Sequence, residues 1–149
     1  MNRQGNQPWT SLRAIISTQT TVAQQRGAFA MTRKQACCSV LQVAYYPSLL
    51  QTRQAMMEAD GHAVTSVLGN DQCIALATAR ELDFDVVLVG FSGKIEQRRE
   101  IIRWLKQFRP KTPVVALRTQ SEDLPDADHA ISSEEPQAWL SAVRNSAER

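Results

Sequence analysis

The chain has 149 residues, of which 43% are hydrophobic, so it has room for one packed domain and a tail. Its longest central apolar stretch, residues 86–89 continued by Gly90 and Phe91, is far shorter than the roughly 20 residues that cross a membrane. The net charge is +2, but residues 1–36 hold five basic and no acidic side chains, which leaves 12 basic and 15 acidic side chains in the remainder. We therefore expect a soluble protein with a mildly acidic domain that gives no reason to bind nucleic acid.

Cysteine and histidine usage argues against both a disulfide framework and a zinc site. Cys37 and Cys38 are adjacent, a spacing that rarely allows a bridge without backbone strain, and with Cys73 the count is odd. His62 and His129 have no finger-like spacing to these cysteines. We expect three small apolar fillers, no metal or other cofactor, and a reducing compartment, the cytoplasm.

Residues 1–36 are rich in Gln, Thr, Ser and Arg and are too polar to build a core. Three interpretations remain open: a flexible arm, a basic targeting segment of the transit type, or an annotation artefact with translation starting at Met31. We favour the third, because residues 32–35 look like a short polar lead-in to a strand. The sequence thus predicts a disordered or wrongly included extension, residues 1–36, and a domain spanning residues 37–149.

From residue 38 onward, short apolar strands alternate with helices. Residues 86–89 are all apolar, which is typical of a central parallel strand covered on both faces. The third helix is expected to turn Ile101, Leu105 and Phe108 inward and to leave Arg98 and its other basic residues on a solvated face. The pattern predicts strands at residues 38–44, 63–68, 85–89, 112–117 and 129–131. Helices are predicted at about 48–60, from a capping turn at 69–71 through about 82, at 94–108 and from 136 onward.

Strands that alternate with helices predict an α/β fold, a doubly wound five-stranded parallel sheet with right-handed crossovers. The flavodoxin-like strand order 2-1-3-4-5 is the expected arrangement. Ligands of such sheets lie beyond the carboxyl ends of the strands, where the order reverses. Here that place is formed by Ala44, Tyr45 and Tyr46 after the first strand and by Gly90 and Phe91 after the third.

Four segments carry a family resemblance: SVLQVAYYP at 39–47, DVVLVG at 85–90, EIIRWLK at 100–106 and TPVVALR at 112–118. Through their hydrophobic pattern and spacing, about three quarters of the chain resembles the receiver domains of response regulators. The resemblance implies a flavodoxin-like fold and a role in phosphorelay signalling. It also implies where the reacting groups of the family would lie.

Receiver domains of this kind move a phosphoryl group from a histidine kinase onto an aspartate, and each reacting position departs from that pattern here. The acidic pair falls on Ala44 and Tyr45, and the phospho-acceptor falls on Gly90. The hydroxyl residue falls on Arg118 and the lysine on Ser133. Because the transfer needs a carboxylate nucleophile and oxygen ligands for Mg²⁺, we expect a pseudo-receiver with no catalytic residue, no phospho-acceptor and no metal site.

The connection after the fourth strand is a second departure. Only eight residues, 119–126, separate Arg118 from Ala127, where the family has a full fourth helix. We expect this helix to be shortened or missing. Since the fourth helix, fifth strand and fifth helix form the output and dimer face of ordinary receivers, the usual dimer is not expected.

The degenerate pocket leaves alternatives open for its residues, which are Ala44, Tyr45, Tyr46, Gly90, Arg118 and Ser133. The two tyrosines either fill the pocket or contact a partner, or one packs inward while the other lies on the surface. Arg118 is either a fixed positive charge that replaces the metal or a solvated arginine at a strand end. Trp104 and Arg103 on the third helix form a candidate interface.

Two functions compete. The first is a phosphorylation-independent, receiver-like signalling module that acts by protein–protein contact in a bacterial two-component or regulatory system, with an unidentified protein partner. The alternative is a domain that binds a small ligand, a nucleotide, flavin or anion, although no Gly-rich phosphate loop is present. Neither reading predicts an enzyme, a nucleic-acid partner or a membrane.

Overall fold

The computed structural model describes residues 38–79 and 83–148. Residues from Cys38 onward form one compact unit of the chain. The interpretations of residues 1–36 and the predicted end of the second helix at residue 82 lie outside the described residues.

Five strands and four helices alternate along the described chain, as the pattern predicts. The third strand begins one residue later than expected, at Val86, and the fourth begins two residues later, at Val114. None of the described helices is both long and apolar enough to cross a membrane. In chain order the elements are β1 Ser39–Ala44, α1 Pro47–Ala59, β2 Ala63–Leu68, α2 Gly69–Ala79, β3 Val86–Val89, α3 Ile95–Phe108, β4 Val114–Arg118, β5 His129–Ser132 and α4 Pro136–Ala147.

The strands form one parallel sheet in the order β2-β1-β3-β4-β5, which confirms the predicted topology. Val43 of β1 pairs with Val89 of β3, and Val89 pairs with Ala116 of β4. All three residues are fully buried. This register brings the carboxyl ends of the three central strands to one edge of the sheet, which we call the carboxyl edge.

The pleat of the strands divides the core into two layers, because successive side chains point to opposite faces. Leu41 joins a layer built with α2 and α3 through Cys73, Ile101 and Leu105. Its neighbour Val40 joins the layer on the other face, with Met57 of α1 and Val143 of α4. The sheet is therefore covered on both sides, as its apolar central strands require.

Two expectations for α3 are wrong. Ile101, Ile102 and Leu105 are buried as expected, but Phe108 is 39% exposed, and its ring stacks on Trp104 with centroids 4.8 Å apart. Phe108 lies in the last turn and is not among the residues that pack on the sheet. Arg98, expected on a solvated face, is only 2% exposed, because an ion pair with Glu122 compensates for its burial.

The segment between β4 and β5 contains turns and no helix, which confirms the shortened connection. Leu124 anchors its middle in the core, with 3% exposure. Asp128 anchors its end, where the carboxylate accepts hydrogen bonds from Val114 N (2.7 Å) and Lys106 Nζ (2.8 Å). Burial opposes the charge on Asp128, but these two donors hold its pKa below the usual range. A buried leucine and charged contacts thus hold the segment where a helix would otherwise pack.

We expect Leu124→Ala to lower the free energy of unfolding by about 2–4 kcal/mol, because it leaves a cavity in a segment with little regular structure. Urea denaturation checks this value. Ser121→Ala, at an exposed position of the same segment, is the control and should stay within about 0.5 kcal/mol of the parent. Equal effects of the two substitutions would contradict the anchoring role of Leu124.

Candidate functional site

The six predicted pocket residues end or closely follow strands at the carboxyl edge. Ala44 ends β1, and Gly90 directly follows β3, where its N–H donates to Val43 O at 2.8 Å. Arg118 ends β4, and Ser133 follows β5 with its N–H donating to Arg118 O at 3.0 Å. The sheet thus brings the positions of the family's reacting groups to one edge, as the resemblance implies.

The two tyrosines point in different directions, in line with the alternative that one packs inward and the other lies on the surface. The Tyr45 hydroxyl donates to Asn70 Oδ1 at 2.7 Å, and Asn70 in turn donates to Gln97 O at 3.0 Å. The Tyr45 ring leaves no room for a side chain at Gly93, where a Cβ would lie 2.7–2.9 Å from its carbons. Burial raises the pKa of Tyr45. Tyr46, in contrast, is 57% exposed.

Arg118 does not pair with an acid among the described residues. Its guanidinium donates to the carbonyl oxygens of Thr119, Gln120 and Ala130 at 3.3–3.4 Å. These contacts hold the side chain along its own strand end and the neighbouring strand. The positive charge at this position is therefore solvated by backbone carbonyls.

An arginine that the sequence analysis did not single out lies beside Gly90. Arg53 projects from α1 and is only 5% exposed. A Cβ at Gly90 would lie 2.8 Å from Arg53 Nη1, a distance that real side chains do not adopt. The guanidinium carbon lies 5.2 Å from the centre of the Phe91 ring, in a cation–π contact. Burial lowers the pKa of Arg53 to about 10, so the side chain is still charged near neutral pH.

A second buried arginine, Arg98, contacts the loop after β3. Its Nε donates to Gly93 O at 2.9 Å, and its two terminal nitrogens form a bidentate pair with the Glu122 carboxylate at 2.9 and 2.6 Å. Thr119 N also donates to Glu122 at 3.0 Å. The hydrogen bond from Arg98, ahead of that from Thr119, lowers the pKa of Glu122 to about 2. This pair links α3 to the shortened segment between β4 and β5.

Both buried arginines have a signal in the sequence that points to their burial. Arg53 lies four residues before the buried Met57, which places both on one helix face. Arg98 precedes Ile101, Ile102 and Leu105 at spacings of three, four and seven, the spacing of an apolar stripe. Sequence analysis does not predict burial at these two positions, because most arginines are exposed.

The residues at the carboxyl edge do not fit the Mg²⁺ ion that the fold family implies. Mg²⁺ needs hard oxygen ligands, usually carboxylates, whereas Ala44 and Gly90 offer no side-chain oxygen and Tyr45 offers only a phenol of raised pKa. The nearest charge to Gly90 is the Arg53 cation. Among the described residues, no group of three or more His, Cys, Asp or Glu side chains could hold a metal ion.

A pocket of about 340 Å³ lies at the opposite edge of the sheet, where Asp85, Lys106 and Asp128 contribute to its wall. Its charged groups already serve the fold, since Lys106 pairs with Asp128 and Asp85 accepts a hydrogen bond from Ser39 N at 2.8 Å. Ligands of parallel sheets of this kind bind at the carboxyl edge instead.

We expect Glu122→Gln to lower the free energy of unfolding at pH 7 by about 3 kcal/mol, because it leaves the buried Arg98 without its counter-ion. Urea denaturation across a pH series checks this. The pKa of Glu122 is depressed, so its contribution is complete above the ordinary glutamate pKa of about 4.3 and is lost as the pH falls toward about 2. The difference between the variant and its parent should shrink over that window.

Asp123→Asn is the matched control for this series, since Asp123 is exposed and contributes its carbonyl, not its carboxylate, to a contact with Arg99. We expect an effect below about 0.5 kcal/mol at every pH. A loss that is the same at pH 7 and pH 2 for Glu122→Gln would show that the ion pair is not its cause.

Comparison with known proteins gives a result for the structure only. No protein-family model matches the sequence, and no curated protein matches it. Among solved structures, a response regulator receiver domain protein from Clostridium thermocellum superposes with a TM-score of 0.67 at 20% identity, covering 75% of this chain and 95% of that one. The receiver domain of the Francisella response regulator 1452 gives 0.66 at 15% identity, covering 75% and 98%.

A chemotaxis response regulator, CheY4 of Vibrio cholerae, is similar with a TM-score of 0.59 at 19% identity, covering 73% of this chain and 98% of that one. These structures match nearly the whole of each receiver domain, although the sequences have diverged. The described part of this chain therefore has the fold of response-regulator receiver domains.

Proposed function

We propose that this protein is a receiver-like signalling module, in a two-component or related regulatory system, that acts by protein–protein contact and without phosphorylation. The observation that carries this proposal is the carboxyl edge itself. Gly90 occupies the acceptor position, and the Arg53 guanidinium fills the space that an acceptor side chain would need. We propose further that the module is cytoplasmic and not an enzyme.

The chemistry of the edge supports phosphorylation independence. A phosphoryl acceptor needs a nucleophilic oxygen at the end of β3, and Gly90 has no side chain. The acidic positions after β1 are Ala44 and Tyr45, and the Tyr45 hydroxyl is engaged with Asn70. An acceptor side chain at position 90 would require the Arg53 guanidinium to move, and the acidic positions after β1 would still hold Ala44 and Tyr45.

A surface on α3 supports the protein-contact part of the proposal. Arg103, Trp104 and Phe108, which we call the α3 aromatic surface, combine two stacked rings with an arginine whose side chain is 57% exposed. Trp104 also borders a pocket of about 250 Å³ between α2 and α3. Aromatic rings and arginine dominate the binding energy of many interfaces, and a pocket beside them can receive a partner's side chain.

We expect the amide NMR spectrum of the full chain to be insensitive to Mg²⁺ at Tyr45, Gly90 and Arg118, and we expect acetyl phosphate with Mg²⁺ to add no covalent phosphoryl group, as measured by intact mass. The reason is that these residues supply neither a carboxylate nor a metal ligand. A receiver domain with its acidic residues intact is the positive control. Saturable movement of the three amides with Mg²⁺, or a covalent phosphoryl adduct, would contradict phosphorylation independence.

We expect a photoreactive phenylalanine analogue at Phe108 to form one discrete cross-link in cells of the source organism, with a yield that acetyl phosphate does not change. The side chain is exposed and lies on the proposed contact surface. The same analogue at Gln137, exposed on α4, should give no such product. Arg103→Glu should reduce the yield, whereas Arg144→Glu, on α4, should not.

Two results would contradict contact through the α3 aromatic surface: equal products from positions 108 and 137, or a product that is unaffected by Arg103→Glu. A product that forms only after phosphate donation would contradict phosphorylation independence instead.

A further inference from the structure

Arg53 is a buried cation for which the described residues offer no anion. Six ion pairs link the described side chains, and Arg53 takes part in none of them. Its Nη1 is fully buried and has no hydrogen-bond partner there. The other buried arginine, Arg98, has both of its terminal nitrogens on a carboxylate. Arg53 thus lacks the compensation that Arg98 has.

Burial of an unpaired charge is expensive, and the visible contacts of Arg53 offset only part of that cost. The Phe91 ring supplies a cation–π attraction, which is weaker than a charge-assisted hydrogen bond. A long side chain on an amphipathic helix could extend to solvent, yet this one is directed inward against Gly90. A buried guanidinium in this position is more stable when an anion pairs with it.

A second unsatisfied donor lies in the loop that Arg53 contacts. Ser92 follows Phe91, and its hydroxyl oxygen is buried without a hydrogen-bond partner among the described residues. The chain leaves the sheet here, since Gly90 is held to β1 by its N–H bond to Val43 O. Arg53 thus contacts Gly90 and Phe91, and the unpartnered Ser92 hydroxyl belongs to the next residue along the loop.

The charges around this place also favour an anion. Arg98 is neutralised by Glu122, and Arg118 is solvated by carbonyl groups without a counter-ion. Arg53 and Arg118 are therefore two cations at the carboxyl edge that form no ion pair with a described carboxylate.

We propose that Arg53 and Ser92 form a binding site for a small oxoanion beside Gly90, held without a covalent bond. Phosphate is the ligand that suits this site best, because its several acceptor oxygens can meet the guanidinium and the hydroxyl together. Entry requires the Phe91 ring or the guanidinium to shift, since Nη1 is covered. The site goes beyond the proposed signalling role, which depends on the α3 aromatic surface.

The test is an amide NMR titration of the full chain with inorganic phosphate, and separately with acetate, at constant ionic strength set with sodium chloride. We expect saturable shifts of Gly90, Phe91 and Ser92 in phosphate. In Arg53→Met the affinity should fall roughly tenfold to hundredfold, the range that loss of one charge-assisted hydrogen bond implies. Arg103→Met, the same change at an exposed arginine, should keep the parent's affinity.

A second variant tests the site with Arg53 in place. Gly90→Asp puts a carboxylate against the guanidinium, whose flexible end can move to pair with it. This internal anion should abolish the phosphate shifts and raise the melting temperature. A variant that folds, retains Arg53 and still binds phosphate with the parent's affinity would overturn the proposal.

The two anions distinguish the chemistry of the ligand. Shifts with phosphate alone support a tetrahedral oxoanion, and shifts with both anions support an oxoanion site that also accepts carboxylates. Absence of saturable shifts with either anion would overturn the proposal, as would shifts that persist in Arg53→Met. None of these results bears on cross-linking through position 108, so failure of this inference is separable from failure of the proposed function.

Discussion

Arg53 Nη1 lies where it would be 2.8 Å from a Cβ on Gly90, so the space at the end of β3 is already occupied by a side chain from α1. The arrangement leaves no space for a side chain at position 90 unless the guanidinium moves, and it requires α1 to pack with Arg53 and Met57 on its inner face. With the guanidinium there, the charge next to Gly90 is positive, and it disfavours a cation such as Mg²⁺ at that position. The chemistry of the edge follows from this one contact.

A second buried arginine, Arg98, lies near the same edge, and an ion pair compensates for the cost of burying its charge. Arg98 has a counter-ion, Glu122, which lies in the short segment between β4 and β5. The ion pair therefore connects two departures from the receiver pattern, the altered pocket and the lost helix. Loss of regular hydrogen bonds in this segment is compensated by Leu124 in the core and by Asp128 on Val114 N.

The described residues have the fold of receiver domains, and two buried arginines contact the loop after β3. Function in such folds depends on the site and the surface, not on the fold itself. The α3 aromatic surface offers rings and an exposed arginine, and it lies on a helix that Arg98 ties to the loop after β3 through Gly93. The loop that follows Gly90 is therefore hydrogen-bonded to α3. An anion bound at Arg53 could affect α3 through that hydrogen bond if it moved the loop.

The sequence by itself determined the five strands, the four helices and their parallel order, because apolar runs such as residues 86–89 and the alternation of strands with helices leave few other topologies. It also determined that no carboxylate follows β1 or β3, since Ala44, Tyr45 and Gly90 are read directly from the chain. The short connection before β5 followed from a count of residues.

Only the tertiary structure decided what fills the space that those residues leave. Arg53 and Glu122 are 37 and 32 positions from Gly90 in the chain, and no local pattern predicts that one would reach Gly90 and the other would pair with Arg98. Helix periodicity places Arg53 and Arg98 on buried faces, but it cannot supply their partners. Whether a buried charge is compensated depends on groups brought together by folding, and this explains why Arg98 is paired and Arg53 is not.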